Sequence, residues 1–213
     1  YALSSGPGIS GVAVVRISGP DSLKVLKLLT QQELPTPRVA TLRKINNINT
    51  SELIDEGLIL WFPGPQSYTG EDMVEIHVHG GKAVVEALLK NLSDIKGCRF
   101  AEPGEFTKLA FQNGKINLLK AESIGDLISA ETEIQRSQAI KIMNGKSSER
   151  FNQLREKLLK ILSFVEAKID FPEEDLPNNI LDEIKNDTND VIKKIEKILN
   201  DQKVGERIRE GFK

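Results

Sequence analysis

The sequence predicts an α+β chain in two parts, an α/β domain over residues 1–117 and a portion of an antiparallel α-helical bundle over residues 118–213. Three observations lead there. Up to about Asn117, short β-prone runs alternate with short helical ones among most of the chain's glycines and prolines. Beyond it, glycine becomes rare and apolar residues recur with the 3.6-residue period of helices. The apolar share, 39% over 213 residues, is that of a chain with one or two folded cores.

In chain order, Val12–Ser18 (VAVVRIS) reads as a strand from its β-branched content, and Ser22–Leu29 as a helix. Leu58–Phe62 (LILWF) and Met73–His79 (MVEIHVH) are further strands, although sequence alone leaves the strand order open. Over Lys82–Leu92, the residues Val84, Val85, Leu88, Leu89 and Leu92 form one apolar stripe, so this helix packs on the sheet. A helix next ends at Gly114, and Lys115 follows it. Ala121–Glu133 reads as a helix of the second part. Leu154, Leu158, Ile161, Val165 and Ile169 then mark a long helix, and Leu181, Ile184, Val191, Ile195 and Ile198 mark its partner. Between them, residues 170–179 carry two prolines and four acids, with Asn178 or Asn179 placed to cap the second helix. The pair leaves a wide apolar seam, for which we expect cover from Ala121–Glu133 or from a helix outside this chain.

Several classes of function are excluded. Charge is balanced, 29 Lys+Arg against 31 Asp+Glu, and the first 117 residues hold 12 of each, so no bulk field points to nucleic acid. The longest apolar runs, Gly11–Val15 and Leu58–Phe62, are far short of a membrane span. One cysteine, Cys98, allows no internal disulfide. The opening at Tyr1 without Met suggests a piece of something longer.

Some motifs fail on context. Gly6, Gly8 and Gly11 satisfy G-x-G-x-x-G, but a strand follows where dinucleotide binding needs a helix. Asn144-Gly145-Lys146-Ser147 resembles the end of a P-loop, yet Ile140 stands where its first glycine belongs. His77 and His79 share a strand face, a spacing that can hold a metal, but no third ligand accompanies them and no metal site is assigned. Gly80-Gly81 serves either a tight turn or close approach of backbone N–H groups to an anion. Arg16 and Glu75 each interrupt an apolar strand, so they are partners or ligand contacts. Glu75, His77 and His79 alternate onto one face, which makes that face a candidate pocket wall. Lys115 alone reads as a complement to a helix dipole.

Taken together, the segments Val15-Arg16-Ile17-Ser18-Gly19, Trp61-Phe62-Pro63-Gly64-Pro65, Tyr68-Thr69-Gly70-Glu71-Asp72, His79-Gly80-Gly81, Pro103-Gly104-Glu105-Phe106-Thr107, Phe111-Gln112-Asn113-Gly114-Lys115 and Ile169-Asp170-Phe171-Pro172 resemble, in that order, the MnmE (TrmE) tRNA-modification GTPases. The resemblance implies a tetrahydrofolate-binding, aminomethyltransferase-like N-terminal domain that homodimerises, then a helical domain interrupted by a GTPase domain. Arg209–Lys213 resembles the approach to that GTPase domain, so GTP, magnesium and potassium are expected outside these residues, with no catalytic residue within them. It further implies a reduced folate, 5-formyl- or 5,10-methylene-tetrahydrofolate, as one-carbon donor. The implied partners are an FAD-carrying MnmG-type flavoprotein and tRNA, modified at C5 of the wobble uridine. The family's folate contacts fall on Arg16, Glu75 and Lys115, while His77, His79, Gly80 and Gly81 are candidates to line the same pocket. A pterin offers an amide and an amino group to a carboxylate such as Glu75, and Arg16 and Lys115 suit carbonyl or carboxylate oxygens. Ala2–Gly6, His77–Gly81 and Ala130–Glu133 resemble mitochondrial members more than bacterial ones, so a mitochondrion is expected, with bacterial cytoplasm as the alternative. At Gly6-Pro7-Gly8-Ile9-Ser10 the chain departs from the family, many members of which carry a basic residue near Ile9. Two rival readings remain: a non-catalytic dimerisation and partner-docking scaffold, and an aminomethyltransferase-like enzyme, against which the long helical hairpin argues.

Overall fold

A computed structural model describes residues 1–170, 179–200 and 205. The chain forms two compact units, Tyr1–Asn117 and Leu118–Lys213. The first is built on a five-stranded antiparallel sheet: β1 (Ala2–Leu3), β2 (Ser10–Ser18), β3 (Thr41–Asn46), β4 (Leu53–Phe62) and β5 (Met73–Gly80), in the spatial order β1-β2-β5-β4-β3. The three strands expected from sequence are all present. β1 and β3, at the two edges, were not expected.

The helices α1 (Ser22–Thr30) and α2 (Lys82–Ser93) cover one sheet face. Alternation drives this layer: Ala13, Val15, Ile17, Ile45, Ile59, Val74, Ile76 and Val78 point into it and meet Val25, Leu26 and Leu29 of α1 and Leu88 and Leu92 of α2. Val15, Leu29, Ile59, Val74, Ile76, Leu88 and Leu92 are fully buried, each contributing roughly 1.5–3 kcal/mol of transfer free energy. The buried Asn91 of α2 is satisfied, since its Oδ1 accepts from Ile48 N at 3.0 Å and its Nδ2 donates to Asn46 O at 2.9 Å. A third helix, α3 (Glu105–Gln112), starts at Gly104, whose φ of +76° suits glycine, and ends before Gly114 at +66°.

The second unit holds α4 (Leu118–Ile128), α5 (Glu133–Met143), α6 (Lys146–Asp170) and α7 (Ile180–Leu199). The single helix expected over Ala121–Glu133 is corrected here: the chain breaks after Ile128 and restarts at Thr132. There a capping box joins the Thr132 side chain to Gln135 N and the Gln135 side chain to Thr132 N, which outweighs continued helix. α6 and α7 are antiparallel, tied by Lys157–Asp190 and by Lys160–Asp187 at 3.3 Å, with Lys194 also on Asp190 at 2.9 Å. Of the two apolar stripes read from sequence, Leu154 and Val191 are buried, while Leu158, Ile169, Leu181, Ile195 and Ile198 stay exposed, so part of each stripe is open. Asn179 takes the N-cap position of α7 without a side-chain cap bond; its Nδ2 donates to Glu183 Oε1 at 2.9 Å. The readings placed on residues 171–178 and 209–213 lie outside the described residues.

Candidate functional site

The register of the two central strands places Arg16 on β2 directly opposite Glu75 on β5. Their neighbours Val15, Ile17, Val74 and Ile76 occupy the core, so both charges project from the opposite sheet face. Arg16 donates to Glu75 through Nε at 3.0 Å and Nη2 at 2.7 Å, and both bonds end on the same oxygen, Oε1. The side chains are 24% and 16% exposed, so a charge left alone there would be costly. The guanidinium carbon lies 5.4 Å from the ring centres of both Tyr68 and Phe106, whose π faces attract the cation. Tyr68 and Phe106 are joined through Thr107, whose Oγ1 is 2.9 Å from the Tyr68 hydroxyl.

Between the two options that sequence left for these charges, partnership is what the strands build. It leaves an asymmetric carboxylate. Two donors on Oε1 use both of its lone pairs, whereas Oε2 accepts no hydrogen bond among the described residues and lies 3.6 Å from His77 Nε2, too far for one. That nitrogen is buried and has no hydrogen-bond partner among the described residues.

His79 shares the strand face but is 74% exposed and is held by Asp55, itself 11% exposed. Asp55 Oδ2 accepts from His79 N at 2.8 Å, and Oδ1 lies 2.9 Å from Nδ1. Burial pushes the Asp55 carboxyl up, but the bonds from His79 and from Glu56 N–H outweigh it and hold the group below its ordinary value. Sequence reasoning missed Asp55, which stands 24 residues from its histidine and becomes visible only once β4 and β5 are in register. Among the described residues no group of three metal-ligating side chains converges.

The space beside Gly80 is taken by β2: a Cβ there would lie 2.0 Å from Ser10 Oγ and 2.5 Å from Ser10 O. Gly81 occupies the N-cap position of α2, where a Cβ would make an ordinary contact with Val84 Cγ2 at 4.0 Å. Lys115 lies at the end of α3, its N–H bonded to Ala110 O at 2.8 Å, and its side chain is exposed and passes over Gly70. A Cβ on Gly70, whose φ is +85°, would lie 3.3 Å from Lys115 Cδ and 3.1 Å from Asn113 Cβ. The segment Tyr68-Thr69-Gly70 therefore links the parts. Tyr68 faces Arg16, Thr69 Oγ1 lies 2.6 Å from Ser18 Oγ, Thr69 O accepts from Asn113 Nδ2 at 2.7 Å, and Gly70 carries the lysine stem. Ser18 also donates to Glu71 Oε2 at 3.0 Å. Sequence inspection did not single out these loop residues except within the resemblance.

The family described as "GTP-binding protein TrmE N-terminus" matches residues 1–115, and "MnmE helical domain" matches residues 118–213. The chain belongs to the MnmE family. Proteins named tRNA modification GTPase MnmE align over its full length in Pelagibacter ubique, at 76% identity, and in Rickettsia prowazekii, at 47%. In Parvibaculum lavamentivorans the identity is 42% over 211 residues, or 99% of the chain. In each case the chain spans 48% of the MnmE protein it matches, about half its length. These MnmE relatives are bacterial, so the mitochondrial affinity expected from three short segments finds no support: full-length identity outweighs a few local matches.

Proposed function

We propose that this chain is the folate-binding and helical part of a bacterial, cytoplasmic tRNA-modifying GTPase. It acts with an FAD-carrying MnmG-type flavoprotein on C5 of the wobble uridine, and it homodimerises through residues 1–117. GTP, magnesium and potassium belong outside residues 1–213, which contain no complete phosphate-binding loop. The observation that carries the reading is the Arg16–Glu75 pair: among the described residues, a half-buried carboxylate whose Oε2 accepts no hydrogen bond stands beside a buried nitrogen without a partner. Such a pair of groups fits the donor edge of a pterin ring. A bound reduced folate supplies a one-carbon unit for transfer. The residues of this chain bind and orient it: Glu75 accepts from the ring, Arg16 fixes the carboxylate, and Lys115 meets an anionic or carbonyl oxygen. Leu42 and Leu58, opposed across β3 and β4 and both exposed, support dimerisation through the sheet.

Calorimetric titration of the chain with 5-formyltetrahydrofolate, alongside light scattering, tests this. Binding to a dimer that Glu75→Ala and Arg16→Ala both abolish is the expected result. A folded dimer that binds no reduced folate would instead favour a docking scaffold.

A further inference from the structure

Arg16 occupies Glu75 Oε1 with two hydrogen bonds, so the carboxylate cannot offer both of its oxygens to a ligand. The remaining acceptor, Oε2, lies 3.6 Å from His77 Nε2. This separation is too long for the two to bond each other, and it matches two acceptors converging on adjacent N–H donors of one planar ring. Among the described residues, three buried side-chain atoms have no hydrogen-bond partner, Arg43 Nε, Trp61 Nε1 and His77 Nε2; His77 Nε2 is the one that faces Glu75 Oε2, and an orphaned polar atom in a folded protein calls for a partner. Its strand neighbours across the sheet are Val14 and Leu58, which offer no side-chain hydrogen bond.

We propose that His77 is the specificity residue of this site. The amide N–H and the neighbouring amino group of the ligand ring are divided between Glu75 Oε2 and His77 Nε2, rather than taken by the two oxygens of Glu75. His77 then acts as an acceptor, with its proton on Nδ1. The inference rests on the folate reading and deepens it. It makes the ring's 2-amino group the feature that His77 reads.

The test combines a change in the protein with a change in the ligand, using the purified 213-residue chain, 5-formyltetrahydrofolate and its 2-desamino-2-methyl analogue. His77→Phe keeps a planar ring without an acceptor, and His77→Gln restores one. The wild-type chain should bind the analogue about tenfold more weakly than the parent, the equivalent of one well-made hydrogen bond. His77→Phe should weaken the parent by about the same factor and leave the analogue within about twofold, because the two changes remove one shared contact. His77→Gln should recover most of the loss for the parent. Equal weakening of both ligands by His77→Phe, or no discrimination against the analogue by the wild type, would overturn the proposal while the folate reading stands. Failure of the wild type to bind either ligand would overturn both. The wild-type comparison of the two ligands needs no variant to fold.

Discussion

Glu105 shows how much one residue can do at the edge of the site. It opens α3, and its carboxylate pairs with Arg99 while Oε2 accepts from Glu102 N at 2.7 Å. The Arg99 hydrogen bonds, with help from that backbone N–H, hold its pKa at about 2 against an ordinary 4.5. A depressed carboxylate pKa contributes stability above the unfolded value, and that stability is lost as pH falls through the folded one. The chain should therefore lose this contribution between about pH 4.5 and about pH 2, and Glu105→Gln should flatten that part of the curve. Acid titration followed by circular dichroism, wild type against variant, checks it; parallel curves would mean that the pair is irrelevant to stability. Phe106, the next residue, faces Arg16, so whatever fixes the start of α3 also fixes one wall of the candidate site.

At the scale of elements, the contact between β2 and β5 is a tight constraint at Gly80. A methyl group at Gly80 would run into both the side chain and the backbone carbonyl of Ser10, and the backbone atom has nowhere to go. Gly80→Ala should cost about 1–3 kcal/mol in urea unfolding, the usual range for overpacking. Truncating Ser10 to glycine should not rescue it, because the carbonyl remains. The same strands explain what the sequence could reveal. β5 was legible because Val74, Ile76 and Val78 alternate with Glu75, His77 and His79, and β2 and β4 because VAVVRIS and LILWF are short runs rich in apolar residues. β3 was hidden because Arg43, Lys44 and Asn46 break its apolar pattern, which an edge strand tolerates. The break between α4 and α5 was hidden because apolar periodicity continues past it, and Thr132 announces itself only through Gln135.

For the whole molecule, the division at Asn117 makes a clear expectation. Every side chain assigned to the candidate site, from Arg16 to Lys115, falls within Tyr1–Asn117. Residues 1–117 produced alone should fold and bind 5-formyltetrahydrofolate within about threefold of the longer chain, a difference of well under 1.4 kcal/mol. A loss of tenfold or more would place part of the site in the helical unit. Sequence reading found the charged members of the site because Arg16 and Glu75 interrupt apolar strands. It could not find that Glu75 is half-occupied, or that Asp55 holds His79, since both depend on which strands become neighbours.

The strand order also has a bearing on how the chain is made. β5 leaves the ribosome after the other four strands, yet it lies between β2 and β4 and joins the pairs β1-β2 and β3-β4. Until it arrives, the two hairpin-like halves wait with open inner edges, and Arg16 waits for a partner 59 residues away. Assembly of the sheet is therefore a closing event rather than gradual growth. The nascent chain is most vulnerable to mispairing just before residue 73 emerges, and the half-buried ion pair forms as the last gap is filled.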